Sequence, residues 1–479
     1  MTDLTGRRRV RREWGALALL CGAFAAALLT AVAYWPGLMT WDPVRQYGEA
    51  LSGEIDDWHP PAMQWVWQQA IRLHPGPMPM LILQLALYWG GLTGIAAIVW
   101  SRGRRRLAWA VLACGLWPLG LALTGMILKD CLMAGALLGA TALLAVHQGR
   151  GDQAWRSRAG IAAGAGAIAL LFFAATLRFN AFTACLPLLI ALLPHRWWHD
   201  WRRLLVTSAI AGALLLATMP IVNRLIGAKP SGVALSLVIF DLGGITEHSG
   251  HNMFPKDLAV ADPVRVNHRC YRPNKWDSYS DWVEPECPLG FTAWNDNVDP
   301  AEVGPYSFLL QAILQHPIAY AEHRLTHFAI NTRILPLADA VERPVPHESA
   351  PNPWGFSARH NGATWVIDAL AMATAHTPLG WPIVWIGVAA GALMAGWGRP
   401  GAQLTVPIAL SSVLYGCGYV VFSVAAELRY HLWTELAALL ALVLVLGDAH
   451  QIGRRRLVWA TVPAILAIAA GSVARMIVA

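Results

Sequence analysis

Eleven apolar segments constrain this chain more than any other feature, because most of them are long enough to cross a lipid bilayer. A helical span needs about 20 predominantly apolar residues. The segments are 15–35, 78–100, 107–128, 131–147, 159–177, 181–194, 204–222, 379–396, 404–425, 431–446 and 457–477. The sixth is short, which indicates a tilted or broken span. The sequence therefore predicts an all-α membrane protein with a bundle of about eleven transmembrane helices.

Composition supports a membrane protein. Of the 479 residues, 56% are hydrophobic and 14% are charged, whereas soluble domains average about 25% charged residues. The net charge of +7 would suit a nucleic-acid partner, but the basic residues lie in short clusters between apolar segments. We therefore expect no nucleic acid as a partner. The chain also has no phosphate-binding P-loop and no dinucleotide-binding glycine motif, so nothing in it indicates transport driven by ATP.

Clusters of arginine orient the predicted bundle. They precede the first segment and follow the second, fourth, sixth, eighth and tenth. Their members are Arg7, Arg8, Arg9, Arg11, Arg12, Arg102, Arg104, Arg105, Arg106, Arg150, Arg156, Arg158, Arg196, Arg202, Arg203, Arg399, Arg454, Arg455 and Arg456. All clusters thus share one side, which the positive-inside rule makes cytoplasmic. We therefore expect the amino terminus in the cytoplasm.

The opposite, outer side then receives a first outer loop at 36–77 and a large outer loop at 223–378. This arrangement predicts three modules: an N-terminal transmembrane module at 1–222, the large loop at 223–378, and a C-terminal transmembrane module at 379–479. Cys270 and Cys287 share the large loop. An oxidising compartment would let them form a disulfide, and two unpaired thiols are the alternative.

Helical spacing predicts further helices outside the membrane. They cover 44–51, 62–73 and 361–375, and the second of them is amphipathic, as expected of a helix at the membrane interface. The segment 306–335 reads as two helices separated at Pro317, because proline breaks a helix. The outer regions should therefore be largely helical.

The stretch 41–61 holds acids, a glutamine and a histidine just after the first apolar segment. Ionisable groups at membrane depth are rare unless they have a function. Asp42 could act as a general base, although a helix cap or an interfacial acid would also fit its position. His59 could orient a substrate or relay a proton because its reference pKa lies near neutrality. Asp56 and Asp57 could bind a divalent metal with His59, but their spacing is not specific for one.

Two histidines of the large outer loop, His323 and His327, are four residues apart on one predicted helix face. This spacing permits metal binding. The glutamate that defines the His-Glu-x-x-His motif is missing, however. We therefore expect these side chains at a surface or an interface, without a metal.

Isolated charges mark the other outer ends of the predicted spans. Lys129 and Asp130 lie between the third and fourth segments, Arg178 between the fifth and sixth, and Arg429 between the ninth and tenth. One such arginine would be a snorkelling anchor, and the Lys-Asp pair could be a hydrated turn. Three cations on different spans instead predict an anion site, for which a lipid phosphate at the outer leaflet is the natural ligand. Glu427 could hold Arg429 in place.

The order of these motifs resembles that of bacterial GT-C type glycosyltransferases, multispanning enzymes that use lipid-phosphate-linked sugars. The motifs are the acid after the first span, the His-Pro at His59, the Lys-Asp at Lys129, the Arg-Phe-Asn at Arg178, the His-Pro at His316 and the Glu-Leu-Arg-Tyr at Glu427. The resemblance covers most of the chain by topology but only short motifs by residue. The acid stands in Trp-Asp-Pro and not in an Asp-Glu or Asp-x-Asp pair, a departure that puts metal dependence in doubt.

The resemblance implies a GT-C-like bundle in a bacterial inner membrane, with a periplasmic active site, and a set of roles. Asp42 would deprotonate an acceptor hydroxyl, with Asp57 and His59 beside it as further catalytic residues. The polyprenyl-phosphate-linked sugar donor would be bound by Gln46, Lys129, Asp130, Arg178, Glu427, Arg429 and Tyr430, with the cations on the phosphate leaving group. A single displacement would invert the anomeric centre. The acceptor would be an envelope glycan, lipid or protein, and neither a metal nor another cofactor would be needed.

Two other classes of function remain open from the sequence. An O-antigen polymerase or ligase also has many spans and a large outer loop, but it would leave the acidic stretch 41–61 without a role. A secondary transporter or lipid flippase would place polar or broken segments deep in the spans. The predicted spans are nearly free of charge, which argues against transport.

Overall fold

The computed structural model describes residues 2–194, 197, 200–299, 303–336, 345–346, 348–358 and 360–478, with residues 2–14 and 478 described by their backbone alone. Arg196 of the predicted basic clusters lies outside these residues, as do the side chains of the N-terminal arginines.

Secondary structure within the described residues is helical, apart from three isolated extended bridges. The α-helices are α1 (Thr2–Tyr34), α2 (Trp41–Ser52), α3 (Pro61–Ile71), α4 (Met78–Ser101), α5 (Arg105–Ala113), α6 (Pro118–Thr124), α7 (Lys129–Gln148), α8 (Arg158–Ala175), α9 (Ala181–Ile190), α10 (Trp201–Ile226), α11 (Ala234–Ser249), α12 (Pro263–Cys270), α13 (Phe291–Asn297), α14 (Pro305–Gln315), α15 (Pro317–Asn331), α16 (Gly362–Ala375), α17 (Pro382–Gly396), α18 (Thr405–Phe422), α19 (Leu432–Gly447) and α20 (Arg454–Val478).

Eight helices in the described part of the chain are long and apolar enough to cross a bilayer. They are α4, α7, α8, α10, α18, the part of α1 from Gly15, α20 up to Ile477, and α19 with the 3-10 turn that precedes it. Each coincides with one of the predicted apolar segments. The prediction of a multispanning, all-helical membrane protein is thereby confirmed.

The third predicted segment is not one straight helix. The structure bends there by 58° between Arg105–Leu116 and Pro118–Thr124. Trp117 adopts an extended backbone at the break, because the residue before a proline disfavours helix and Pro118 supplies no amide hydrogen. The expectation of a continuous span at 107–128 is therefore corrected to a broken one.

Two other predicted spans are helical but short. Helix α9 has 10 residues, as the shortness of the sixth segment indicates, and α17 has 15 residues. At about 1.5 Å per residue, α17 extends about 22 Å, less than the bilayer core of about 30 Å. All eleven predicted segments are therefore helical, although three of them do not form a full-length straight span.

The described chain divides into two compact units. The first comprises Met1–Lys229, Arg343–Gly416 and Arg429–Ile468, and the second comprises Pro230–Glu342, Cys417–Leu428 and Ala469–Ala479. Each unit is described by itself below.

Helix α7 is the most enclosed span of the first unit, with contacts to α4 and α8. Its contact with α4 is close because small residues face each other. A methyl group built on Gly91 would come within 2.6 Å of the Leu138 backbone, so only glycine allows this approach. Helix α7 is thereby fixed at the centre of the unit, and its first residues are Lys129 and Asp130.

An extended bridge sets the position of both α2 and α7. The amide of Leu38 donates to Gly125 O (3.1 Å) and the amide of Ile127 donates to Leu38 O (2.9 Å). Gln84 of α4 donates to Met126 O (2.7 Å) and Thr124 O (2.7 Å), which satisfies carbonyls freed where α6 ends. The bridge lies a few residues before Asp42 and before Lys129, and so holds the starts of the two helices side by side.

The predicted outer helices are present. Helix α3 corresponds to the predicted helix at 62–73, and α16 corresponds to the one at 361–375. Helices α14 and α15 correspond to the predicted pair separated at Pro317. Helix α2 begins at Trp41 and not after Pro43. Asp42 therefore lies in the first turn of a helix, where the helix dipole stabilises an acidic side chain.

The second unit is built around α11 and α15, and Cys270 and Cys287 are joined in it by a disulfide. His323 and His327 are both fully buried, so a surface position is wrong for them. His323 Nδ1 pairs with the Tyr271 hydroxyl (2.9 Å), and its Nε2 lies 3.1 Å from Asp241. These polar partners satisfy a buried imidazole, and they were not visible from helical spacing alone.

Candidate functional site

Asp42 is the centre of a cluster of charged side chains in the first unit. Lys129 Nζ donates to Asp42 Oδ2 at 3.1 Å, and Arg429 Nη2 lies 3.0 Å from the same oxygen. The Asp42 side chain is 25% exposed, whereas those of Lys129 and Arg429 are 12% and 13% exposed. The carboxylate is thus reachable from outside, while its two cations lie behind it.

These charges keep Asp42 ionised. Burial on its own raises the pKa of Asp42, but the charges of Arg429 and Lys129 outweigh it and hold that pKa well below its usual range. An opposite charge within a few ångströms favours the ionised carboxyl in this way. At neutral pH Asp42 is therefore a carboxylate with two cationic partners.

His59 is the fourth residue of the cluster around Asp42. Its Nδ1 lies 3.1 Å from Lys129 Nζ, and its Nε2 lies 3.9 Å from Asp42 Oδ1. Burial, followed by the Lys129 charge, lowers the pKa of His59 to about 3. The imidazole is consequently neutral at pH 7, with Nδ1 able to accept from Lys129. Pro60 follows directly and precedes α3, which begins at Pro61. A proline after His59 restricts the backbone at His59.

A second ion pair lies next to the first. Arg178 binds Asp130, the residue after Lys129, and Asp130 is almost fully buried. The Arg178 guanidinium also stacks on the Tyr430 ring with 4.1 Å from Cζ to the ring centroid, and the Arg429 guanidinium lies 5.6 Å from the same ring. Tyr430 therefore offers its ring to the guanidinium groups of both arginines.

The three predicted cations do converge, although on carboxylates of the protein itself. Together Lys129, Arg178 and Arg429 carry three positive charges against the two negative charges of Asp42 and Asp130. With His59 neutral, these five side chains have a net charge of +1. Three cationic groups in a partly enclosed site favour an incoming anion.

The other predicted site residues occupy different positions. Gln46 is buried beneath α2, where its amide donates to Gln64 Oε1 (3.3 Å). The Asp57 amide donates to Lys229 O (3.0 Å) in the loop before His59. Glu427 belongs to the second unit. Arg429 is held by Asp42, a partner that the sequence did not indicate.

Asp56 is a structural residue of the same loop. Its carboxylate accepts from Arg45 Nη2 at 2.6 Å and from the Trp58 amide at 2.9 Å. This ion pair ties the loop to α2. Asp56 therefore offers a comparison for Asp42, since both acids lie in the first outer loop and both pair with arginine.

Glu435 is an acid that the sequence argument passed over. It lies in the first turn of α19 with only 2% of its surface exposed, and its Oε2 accepts from Trp117 Nε1 at 3.0 Å. Trp117 is the residue at the break between α5 and α6. The sequence signal for Glu435 was its position inside the apolar segment 431–446, because acids in spans are usually functional or paired.

The possible metal ligands in the part of the chain that the structure describes do not come together in a metal site. No group of three or more His, Cys, Asp or Glu side chains in it could hold a metal ion. The cluster around Asp42 instead places ammonium and guanidinium groups against the carboxylate. Its chemistry suits an anion that has hydrogen-bond acceptors, such as a phosphate.

The chain has a structural likeness to a known protein. No protein-family model and no curated protein matches the sequence. Among solved structures, the chain is similar to the archaeal oligosaccharyltransferase AglB from Archaeoglobus fulgidus, in complex with an inhibitory peptide and a dolichol-phosphate. The sequences are 12% identical, with a TM-score of 0.41 over 96% of this chain and 55% of the AglB chain. The chain thus spans about half the length of the protein it resembles.

Proposed function

We propose that this protein is a GT-C type glycosyltransferase that moves a sugar from a polyprenyl-phosphate donor to an envelope glycan, lipid or protein. The observation that carries the proposal is the convergence of Lys129 and Arg429 on Asp42, with Arg178 close by on Asp130. A reactive acid and a group of cations are the two elements that transfer from a lipid phosphate requires.

The reaction is a single displacement at the anomeric carbon of the donor. The acceptor hydroxyl oxygen attacks this carbon while the bond between the carbon and the phosphate oxygen breaks. The bonding electrons leave with polyprenyl phosphate, and Asp42 takes the acceptor proton. Attack opposite to the leaving group inverts the anomeric configuration.

The cations act on the leaving group. Negative charge grows on the phosphate as the glycosidic bond breaks, and fixed positive groups stabilise charge that develops in the transition state. Lys129 and Arg429 contact Asp42 and have little of their own side chains exposed. They can bind the phosphate without first losing a full hydration shell.

Asp42 becomes a stronger base when the donor arrives. In the structure two cations lower its basicity. A phosphate that draws Lys129 and Arg429 toward itself weakens both pairs, and the pKa of Asp42 rises as a consequence. The acid is thereby activated at the moment when a sugar is in place to receive the attack.

Metal-free catalysis follows from the same arrangement. In a metal-dependent transferase a divalent cation would neutralise the phosphate, whereas here Lys129, Arg178 and Arg429 supply that charge. We place the site on the periplasmic side of a bacterial inner membrane, because the arginine clusters lie at the opposite ends of the spans.

Turnover of a lipid-linked sugar tests the proposal. Purified protein is incubated with polyprenyl-phosphate sugars and a periplasmic extract, with and without a chelator, and release of polyprenyl phosphate is measured. Release that persists after chelation is expected. Loss of release that manganese or magnesium restores would refute the metal-free mechanism, and the absence of release with every donor would refute the transferase.

The products of two assays distinguish the transferase from a polymerase or ligase and from a flippase. A polymerase or ligase would transfer a preassembled glycan, so its product would increase by whole repeat units. A flippase would move the lipid between leaflets of a vesicle without breaking the sugar–phosphate bond. The break at Trp117 and the buried Glu435 beside it are the features that favour a transporter, because transporters place broken helices and polar groups within their spans.

A further inference from the structure

A cavity of about 590 Å³ lies in the first unit, between the start of α5 and the end of α19. Its lining combines three arginines with apolar side chains. These residues include Arg104, Arg105, Arg106, Leu107, Val443 and Leu446. The cavity shares no lining residue with the cluster around Asp42.

The cavity lies at the far end of the span that carries Arg429. That span runs Leu428–Gly447, and Gly447 lines the cavity. At about 1.5 Å per residue, the 18 residues from Arg429 to Gly447 correspond to about 27 Å, close to the thickness of the bilayer core. The cavity is therefore at the opposite membrane surface from the candidate active site.

The arginines at this cavity are held in different ways. Arg104 Nη2 lies 2.6 Å from Asp448 Oδ1, and this pair cancels one positive charge. The Arg105 guanidinium is placed over the Trp100 ring, 5.3 Å from its centroid. In the described part of the chain no carboxylate lies within ion-pair distance of Arg105 or Arg106. Two positive charges thus remain at the mouth of the cavity.

The apolar part of the cavity distinguishes it from a basic cluster that only orients a span at the membrane surface. Arginines that only orient a span need to reach the interface and nothing else. Here helices α5 and α19 pack closely, and a methyl group on Gly447 would lie 2.8 Å from Leu107. The exposed side chain of Leu446 continues the apolar wall toward the lipid. A ligand for this site needs an anionic head and an apolar body.

We propose that this cavity binds an acidic phospholipid of the leaflet that faces it, with the lipid phosphate on Arg105 and Arg106 and an acyl chain along Leu107 and Val443. Charge complementarity selects the head group, and the apolar wall selects a lipid over a soluble anion. Basic pockets between spans bind anionic head groups in this way. The inference does not depend on the proposed glycosyltransferase activity.

Native mass spectrometry of the purified protein tests this site. The protein in detergent is titrated with phosphatidylglycerol, with phosphatidylcholine and, separately, with inorganic phosphate. We expect phosphatidylglycerol to be retained preferentially, and the double variant Arg105→Gln/Arg106→Gln to weaken this retention by roughly tenfold. The variant Val443→Trp, which fills the apolar part, should also lower retention while both arginines remain.

Control variants decide whether the effect is specific. Arg150→Gln/Arg156→Gln removes two exposed arginines that lie outside the cavity and should leave retention unchanged. Equal retention of both lipids, an equal loss in the control variant, or binding of inorganic phosphate alone would overturn the proposal. Circular dichroism of each variant distinguishes loss of the site from loss of the fold.

Discussion

At the scale of the residue, the central observation is that one carboxylate oxygen of Asp42 is shared by Lys129 and Arg429. The residue types were predictable, because isolated charges at the ends of apolar segments are rare. Their pairing was not predictable. It depends on the bridge between Leu38 and Met126, which joins segments that are far apart in sequence.

The depressed pKa values at Asp42 and His59 predict the pH dependence of kcat/KM. Asp42 stays ionised well below its usual range, and His59, with a pKa of about 3, stays neutral. Because kcat/KM reports the ionisation of the free enzyme, we expect no acidic limb from either group between about pH 5 and pH 8. Steady-state rates across that interval check this, and a limb with a midpoint near pH 6 that vanishes in His59→Gln would contradict it.

At the scale of the element, the apolar pattern predicted helices well and their continuity less well. All eleven segments are helical, but the break at Trp117 escaped notice because the composition of the segment 107–128 is uniformly apolar. Pro118 was the signal, since the residue before a proline avoids helix. The sequence did not predict the burial of His323, for a different reason. Its partners Tyr271 and Asp241 come from other elements.

The close contact of α4 with α7 predicts different effects for two adjacent glycines. A methyl group on Gly91 would come within 2.6 Å of the Leu138 backbone, whereas one on Gly90 would meet nothing within 4 Å. We expect Gly91→Ala to destabilise the protein by about 1–3 kcal/mol through overpacking, and Gly90→Ala to be neutral or slightly stabilising. Thermal unfolding in detergent measures both, and equal melting temperatures would contradict the packing described.

The disulfide between Cys270 and Cys287 predicts a local loss of stability in the second unit. It encloses a sequence separation of 17 residues, and a loop of similar length contributes about 3 kcal/mol by restricting the unfolded chain. The loop includes Trp276, whose amide donates to Val424 O at 2.8 Å. In Cys270→Ser/Cys287→Ser, amide hydrogen exchange should accelerate at this segment and remain unchanged in α7. Unchanged exchange at both segments would exclude a stabilising role.

At the scale of the whole molecule, the arginine clusters predict on which side of the membrane each loop lies, because they precede the first apolar segment and follow only even-numbered ones. The structure gives the helices, and the positive-inside rule supplies the orientation. The rule places the exposed Asp152 in the cytoplasm and the exposed Glu54 in the periplasm. The two positions offer matched acidic residues in loops on opposite sides.

Labelling with a membrane-impermeant maleimide checks this orientation. Cys21 and Cys417 are exposed and are first replaced by alanine. In intact cells with a permeable outer membrane, Glu54→Cys should be labelled, whereas Asp152→Cys should react only after the inner membrane is opened. The reverse pattern would place the candidate active site in the cytoplasm.

The central claim is that Asp42 takes the acceptor proton during transfer from a lipid phosphate, and its matched comparison is Asp56. Single-turnover release of polyprenyl phosphate is measured for the wild type, Asp42→Asn and Asp56→Asn with enzyme in excess over the donor and with saturating acceptor. Removal of a general base predicts a loss of about 100-fold or more in Asp42→Asn, whereas Asp56→Asn, which removes only a loop ion pair, should stay within a few fold of the wild type. Equal rates for the wild type and Asp42→Asn would contradict the account.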